Sequence, residues 1–296
     1  MRGQRILLPS VFGALLVSAA LVRRAPSVQA GALRVHAVSG PVSYIEGEGG
    51  NVGVLAGESS LMLIDDKLAR ARTPLLEAVE GLDGGPVEFL LNTHWHGDHV
   101  GNNESFGEST ILSHINVRRR LAGDPTIEGG KGADTPPIAL PDVTFEDSVT
   151  LHFAGEEIEL VHYGKGHTDG DSVVFFKNAE VVHMGDLYFS NRFPFIDLNS
   201  GGSVEGYAAA VGAVLARIEA SGKDPKVIPG HGPLATPKEL AEYHAMLEEA
   251  IARVKEVAAE GWTAEEMVEH QLLGDLAETW GDPSRFLRSL AQDLAP

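Results

Sequence analysis

Four side chains that can bind a metal ion lie within six residues, directly after an apolar run. The run Val87–Leu91 leads into Asn-Thr-His-Trp-His-Gly-Asp-His, which contains His94 and His96. Side chains two residues apart in extended chain point to the same face, so both imidazoles can reach one ion. The glycine that follows allows a turn that redirects Asp98 and His99 to a second point. Two groups of imidazole and carboxylate ligands are typical of a hydrolytic centre with two metal ions.

Three further ligand candidates each follow a predicted strand later in the chain. His167 lies in Gly-His-Thr-Asp-Gly, Asp186 in Met-Gly-Asp, and His231 in Pro-Gly-His-Gly. Loops at strand ends are well placed to converge at one edge of a sheet. The chain has no Cys, so a metal ion must be bound by histidines and carboxylates.

Taken together, these motifs resemble the metallo-β-lactamase superfamily, from about Val35 to Leu247. The resemblance implies a four-layer αββα sandwich, an α/β fold with two facing sheets between helices. It also implies a ligand set for two zinc ions: His94, His96 and His167 for the first, Asp98, His99 and His231 for the second, and Asp186 as the bridge. The residue types also suit iron or manganese.

The chemistry implied is hydrolysis of a small carbonyl substrate. Two zinc ions lower the pKa of a shared water from about 15.7 towards 7, so that metal-bound hydroxide attacks the carbonyl carbon. Asp98 is the catalytic candidate, because it is placed to orient the nucleophile or take its proton. No serine or cysteine nucleophile is needed.

Substrate stays open between a β-lactam amide and an ester, lactone or thioester. The most widespread β-lactamase subclass has a Cys where this chain has Asp186, whereas a bridging aspartate resembles glyoxalase-type thioesterases and lactonases. Two alternatives are retained: an iron-dependent redox member similar to persulfide dioxygenases, and a periplasmic metal-binding protein without turnover. A substrate contact is predicted at Asn191 and Arg192, which follow Asp186 closely, with Arg192 as the candidate for binding a substrate carboxylate.

Apolar runs bounded by glycine predict short strands in both halves of the chain, and helical spacing predicts helices between them. Predicted helices include residues 68–82, Ile115–Leu121 and 204–218, with C-terminal helices over about 236–294 that begin at Thr236 and Thr263 capping boxes. Ala122–Pro141 is rich in Gly, Asp and Pro and predicts a lid, a binding loop or a disordered insert.

The N-terminal residues predict export. Arg2 and Arg5 precede the uncharged run Ile6–Val22, and small residues before Gly31 fit signal-peptide cleavage after Ala30. We therefore expect a signal peptide over residues 1–30, one domain over 31–296, and a periplasmic or secreted protein. Membrane attachment is expected only through an uncleaved signal.

The net charge of the full chain argues against one class of partner. A formal charge of −19 repels phosphate backbones, so we expect no nucleic-acid partner. The expected partner is a small-molecule carbonyl substrate, and the oligomeric state is left open.

Overall fold

The computed structural model describes residues 33–82, 84–127 and 135–294. The predicted signal peptide and its cleavage point after Ala30 lie outside the described residues, as does the middle of the 122–141 segment. Export and domain extent therefore stay predictions.

The first sheet has seven strands that lie side by side in chain order. Neighbours are antiparallel from the first strand to the fourth and parallel from the fourth to the seventh. The strands are β1 (Arg34–Ser39), β2 (Val42–Glu46), β3 (Val52–Ala56), β4 (Leu61–Ile64), β5 (Val87–Asn92), β6 (Thr110–His114) and β7 (Val143–Phe145).

The second sheet has five strands in the order β12-β11-β10-β9-β8. Its neighbours are antiparallel except for the parallel pair of β11 and β12. The strands are β8 (Ser148–Phe153), β9 (Glu156–Val161), β10 (Val173–Phe176), β11 (Val181–His183) and β12 (Lys226–Ile228).

Alternation along the strands places apolar side chains on both faces of each sheet, which explains why the runs are continuously apolar. In β4, Met62 and Ile64 pack between the sheets, whereas Leu61 and Leu63 face outward. The outer face of the first sheet packs on α1, and that of the second on helices α3, α4 and α7. The order is helix, sheet, sheet, helix, which confirms the predicted four-layer sandwich.

Seven α-helices complete the described fold. They are α1 (Arg72–Glu80), α2 (Ile115–Leu121), α3 (Val204–Ser221), α4 (Pro237–Ala259), α5 (Ala264–Glu269), α6 (Ala277–Trp280) and α7 (Ser284–Asp293). Both predicted capping boxes are present: Thr236 pairs with Glu239 at the start of α4, and Thr263 pairs with Glu266 at the start of α5. Within the described ranges, no helix is long and apolar enough to cross a membrane.

Two local features differ from the sequence expectation. The 3-10 turn Pro137–Ala139 lies inside the segment 122–141, for which the sequence predicts a lid, a loop or a disordered insert. The strand β7 follows that segment and was not predicted. The strand β7 forms because it pairs with the end of β6, about 30 residues earlier in the chain. A strand of three residues is too short to show a pattern that would predict this pairing. Helix α1 begins at Arg72, after a 3-10 turn over Ala69–Ala71, rather than at residue 68.

Candidate metal centre

The loops that carry the seven ligand candidates meet at one edge of the sandwich. Strands β4 and β5 are parallel, so Asp65 and the histidine motif leave the first sheet side by side. In the second sheet, β11 and β12 are also parallel, which brings Asp186 next to His231. The loop between β9 and β10 reaches this edge and supplies His167. Backbone bonds join the sheets here, including one from Ser172 N–H to the Thr93 carbonyl oxygen at 2.9 Å.

The first group of ligand atoms comes from His94, His96, His167 and Asp186, and these atoms all lie within 4.8 Å of one another. His96 Nδ1 and His167 Nε2 are 2.8 Å apart. Asp186 Oδ2 is 3.5 Å from His167 Nε2 and 3.8 Å from His94 Nε2. Two imidazoles of this group therefore lie within 4 Å of one carboxylate oxygen, and His96 completes the group through its contact with His167.

The second group comes from Asp98, His99 and His231, again within 4.8 Å. His231 Nε2 is 3.2 Å from Asp98 Oδ2, and His99 Nε2 is 3.7 Å from the same oxygen. Asp186 belongs to both places: its Oδ1 is 3.1 Å from His99 Nε2, and its Oδ2 is 3.4 Å from His231 Nε2. The carboxylate thus lies between the two groups, where the resemblance implied a bridge.

The donor sets fit two divalent ions. Tetrahedral zinc with bonds of 2.0–2.1 Å separates its ligand atoms by about 3.3 Å, close to the spacings above. His94 Nε2 and Asp186 Oδ1 are both buried, and neither forms a hydrogen bond of good geometry in the described part of the chain, although Oδ1 lies 3.1 Å from His99 Nε2. Buried polar atoms are rarely left without a partner, so these two atoms point to a missing ligand. A structural zinc site usually binds one ion with four protein ligands, whereas the two groups of this centre share one carboxylate.

Partners outside the ligand sets fix the orientation of four histidines. Asp65 Oδ2 accepts from His99 Nδ1–H at 2.7 Å, and Asp197 Oδ2 accepts from His96 Nε2–H at 2.9 Å. His167 Nδ1 bonds to the Phe195 carbonyl oxygen at 2.7 Å, and His94 Nδ1 lies 3.0 Å from Thr93 Oγ1. Metal-binding histidines usually donate their second N–H in this way, which fixes the tautomer. These contacts occupy one ring nitrogen of each histidine, and the other ring nitrogen faces the centre.

Sequence reasoning missed these outer partners. Asp65 and Asp66 are adjacent in the sequence, and nothing there shows which of them faces His99. The parallel register of β4 and β5 decides it, because it sets Asp65 beside Thr93. Asp197 lies five residues after Arg192, for which the sequence predicted a substrate contact, and this proximity was the available signal.

The charges of the site are arranged around Asp186. Burial raises the pKa of this carboxyl, but the positive charges of His99 and His231 outweigh burial and hold it well below its usual value. Burial lowers the pKa of His94 well below its usual value and that of His167 to about 4, so both imidazoles are neutral at pH 7. Burial opposes protonation of His231 too, yet Asp186 raises its pKa to about 9. Burial opposes protonation of His99 as well, yet Asp186 and Asp65 raise its pKa well above its usual value. The buried Asp186 anion is therefore surrounded by two neutral imidazoles, His94 and His167, and two positively charged ones, His99 and His231.

Two glycines make room for the close approach of the ligands. A Cβ added at Gly230 would collide with Asp186 Oδ1, and one added at Gly50 would collide with the His99 ring. Glycine before His231 is thus required by the carboxylate beside it.

One side of the centre is open to solvent. The side chains of His96, Asp98 and His231 are 17%, 28% and 19% exposed, whereas His94, His99 and His167 are buried. Phe195 stacks on His96 with centroids 6.1 Å apart, and Phe189 stacks on His231 at 5.2 Å. A substrate can therefore approach from this side, between two aromatic rings.

A cation from the C-terminal helices lies at the rim. The Arg285 guanidinium carbon is 3.7 Å from the centroid of the Phe195 ring, which itself contacts His96 and His167. Sequence analysis did not single out Arg285, because the residue is distant in sequence from every motif.

Asn191 and Arg192 are exposed residues on the loop after Asp186. Among the described residues, neither forms a hydrogen bond or ion pair with any of the seven ligand candidates. Their contact with substrate stays a prediction.

The sequence matches the family model described as "Metallo-beta-lactamase superfamily" over residues 45–231, a range that contains all seven ligand candidates. The chain belongs to this superfamily. The match also confirms the expectation drawn from the motifs, and the superfamily is one of metallo-hydrolases.

Relatives with two different names are similar to the chain. The metallo-beta-lactamase type 2 of Bacteroides fragilis is 25% identical over 196 residues, which are 64% of this chain and 73% of that protein. The enzyme of the same name from Bacillus cereus is 27% identical over 197 residues, 64% of this chain and 71% of that protein. The hydroxyacylglutathione hydrolase of Methylococcus capsulatus is 27% identical over 192 residues, which are 64% of this chain and 66% of that protein.

Solved structures agree on the fold. A metallo-beta-lactamase from Pontibacter korlensis has a TM-score of 0.60 and 19% identity, with 73% of this chain and 99% of that chain covered. The DIM-1 metallo-beta-lactamase has a TM-score of 0.60 and 18% identity, with 74% and 98% covered. At these identities the likeness shows the fold alone.

Proposed function

We propose that the protein is a binuclear zinc hydrolase that cleaves the acyl bond of a small carbonyl substrate. The observation that carries the proposal is the convergence of six ligand candidates around a seventh, the buried Asp186 carboxylate, with one side open. His94, His96 and His167 would hold one ion, Asp98, His99 and His231 the other, and Asp186 would touch both. When bound, the ions supply Lewis acidity for a carbonyl oxygen and a water molecule acidic enough to ionise near pH 7.

Asp98 is the residue best placed to handle a proton. Burial raises its pKa, but the hydrogen bond from His231 and the charge of His99 more than offset this, so the pKa lies below its usual value. Asp98 is therefore a carboxylate at neutral pH and suits a base rather than an acid. Its partial exposure lets its oxygens reach a water molecule on the open side.

The buried residues of the site orient the reaction and exclude water. His94, His99 and His167 are fixed by their outer partners, so their ligand atoms need little reorganisation. Phe189 and Phe195 cover the flanks, and the exposed Arg285 offers a positive charge for an anionic group of the substrate.

The acyl bond is either a β-lactam amide or an ester, lactone or thioester. Relatives with the names of a lactamase and of a thioester hydrolase support both. We further propose export to the periplasm or the medium, supported by the charged start and uncharged run of residues 1–30.

The test is a substrate panel on the purified chain loaded with zinc. Nitrocefin, S-lactoylglutathione, a homoserine lactone and a neutral aryl ester are compared, with His96→Ala as the control. We expect turnover of at least one substrate that is lost in His96→Ala. No turnover of any of them by zinc-loaded protein would refute the hydrolase proposal, and iron as the metal retained from cells would favour the redox alternative.

A further inference from the structure

Arg120 is the largest fully buried side chain in the described part of the protein, and it lies next to the metal centre. It belongs to the last turn of α2, and its side chain is 1% exposed. Arg118 and Arg119, its neighbours in a run of three arginines, make separate contacts to Pro141 and Asp124. The function proposed above uses none of these residues.

The guanidinium of Arg120 binds two loops at once. Its Nε and Nη2 donate to Asp169 Oδ1 and Oδ2 at 2.7 and 2.8 Å, a bidentate pair. Its central carbon lies 5.7 Å from the centroid of the Trp95 ring, within the range of a cation–π contact. The remaining nitrogen, Nη1, is buried and has no hydrogen-bond partner among the described residues. The carboxylate and the indole are therefore the polar and aromatic contacts that hold the guanidinium.

These two contacts fall beside the ligands of the first group. Trp95 lies between His94 and His96, and Asp169 lies two residues after His167. Helix α2 supports the same loop by a second bond, from Asn116 Nδ2 to the Asp169 carbonyl oxygen at 2.9 Å. Asp169 N–H in turn donates to Ser200. All three histidines of the first group are thus carried on loops that meet at one guanidinium.

Stability alone does not account for this arrangement. Burial of a guanidinium and a carboxylate costs desolvation energy that their attraction roughly repays, and an apolar pair of the same volume is often as stable. The planar guanidinium, which presents its N–H donors in a rigid fork, fixes the distance and the angle between the two loops. An apolar pair does not.

We propose that Arg120 is a positioning residue that sets the spacing between His167 and the two histidines of the Trp95 loop. The inference rests on the metal centre of the proposed function. It predicts that the Arg120–Asp169 pair controls the affinity of the first group for zinc and leaves that of the second group unchanged.

The test compares zinc affinities of purified full-length variants by competition with a chromophoric chelator. Arg120→Lys keeps the charge and loses the fork, and Arg120→Gln with Asp169→Asn removes both charges and leaves no unpaired ion. The matched control is Arg217→Gln with Glu159→Gln. This Arg–carboxylate pair joins α3 to β9, and the Arg217 guanidinium also lies over an aromatic ring, that of Phe175. His96→Ala and His231→Ala assign the two binding events to the two groups.

We expect both Arg120 variants to weaken zinc binding to the first group about 10-fold, and the control to leave it unchanged. Urea unfolding of the metal-free proteins separates positioning from stability, since a merely structural role lowers the unfolding midpoint and leaves affinity unchanged. Unchanged affinity in either folded Arg120 variant, or equal losses at both groups, would overturn the inference. Wild-type protein that binds no metal would instead overturn the proposed function.

Discussion

Replacement of Asp65 by Asn removes an outer partner of the second ligand group and changes little in size. Asp65 is fully buried and accepts three hydrogen bonds of 2.7 Å, from Thr93 N–H, Thr93 Oγ1–H and His99 Nδ1–H. An asparagine can accept on one oxygen, so its NH₂ group must face some of these donors. If it faces His99, Nδ1 becomes the acceptor and the ring proton moves to Nε2, the atom that faces Asp186 and Asp98.

A proton on Nε2 blocks metal binding through that atom. We expect Asp65→Asn to reduce zinc affinity of the second group towards the upper end of the 10- to 100-fold range known for outer partners, about 2.7 kcal/mol at 1.36 kcal/mol per tenfold. The affinity of the first group should fall less, because Asp65 reaches His94 only through Thr93.

Asp66→Asn is the matched control. Asp66 is also fully buried, and its Oδ1 accepts from Asn102 N–H at 2.8 Å, but in the described ranges its carboxyl group forms no hydrogen bond with a ligand candidate. Its backbone N–H donates to the His99 carbonyl oxygen at 2.8 Å, a bond that the substitution keeps. Burial raises the pKa of Asp66 well above its usual value, so Asn resembles its protonated form. Chelator competition on both variants measures the difference. Equal losses in the two variants, or none in Asp65→Asn, would refute the role assigned to Asp65.

Three further outcomes are expected. Asp98→Asn should lower kcat by about 10²- to 10⁴-fold in steady-state assays, because the catalytic base is lost, whereas His96→Ala should abolish turnover. A kcat of Asp98→Asn within tenfold of wild type would exclude Asp98 as the base. Burial lowers the pKa of Lys67 to about 8, from 10.5 in the unfolded chain. Between these two pH values the folded state binds fewer protons than the unfolded state, so the free energy of unfolding rises with pH, by up to about 3 kcal/mol. Urea unfolding of wild type against Lys67→Met at pH 7.5 and 10 measures this, and a pH-independent difference between them would contradict it. Arg285→Ala should raise KM severalfold for a carboxylate-bearing substrate and leave KM for a neutral aryl ester unchanged; equal changes for both substrates would remove Arg285 from substrate recognition.

Much of the framework was predictable because it depends on local signals. The helix Ile115–Leu121 has the predicted bounds, and Thr236 and Thr263 begin helices through the capping boxes that the sequence indicated. The strand β10 likewise forms from a short apolar run, Val173–Phe176, of the kind that predicts strands. Capping residues and apolar runs act within a few positions, so the sequence carries them directly.

The convergence of the ligand candidates was predicted from motif order and from the resemblance. Geometry brings all seven side chains together, but which atoms face the centre depends on partners distant in sequence. His96 presents Nδ1 because Asp197, 101 residues away, takes Nε2–H. Such choices follow from tertiary contacts and leave no periodic pattern.

Charged residues outside the motifs were the least predictable part. Three consecutive arginines look alike in the sequence, yet only Arg120 is buried, because only its side chain points between α2 and the two ligand loops. Arg285 reaches the rim because α7 packs on the second sheet, a contact between distant segments.

The most direct test of the central claim is the number of metal ions in each of three proteins. Wild type, His96→Ala and His231→Ala are purified after expression in zinc-supplemented medium, and their metals are counted by mass spectrometry. The account predicts two zinc ions per chain in wild type and about one in each variant, since each substitution removes one ligand from a different group. One zinc ion per chain in wild type would contradict two ligand groups bridged by Asp186. So would the loss of both ions in His96→Ala together with the loss of none in His231→Ala.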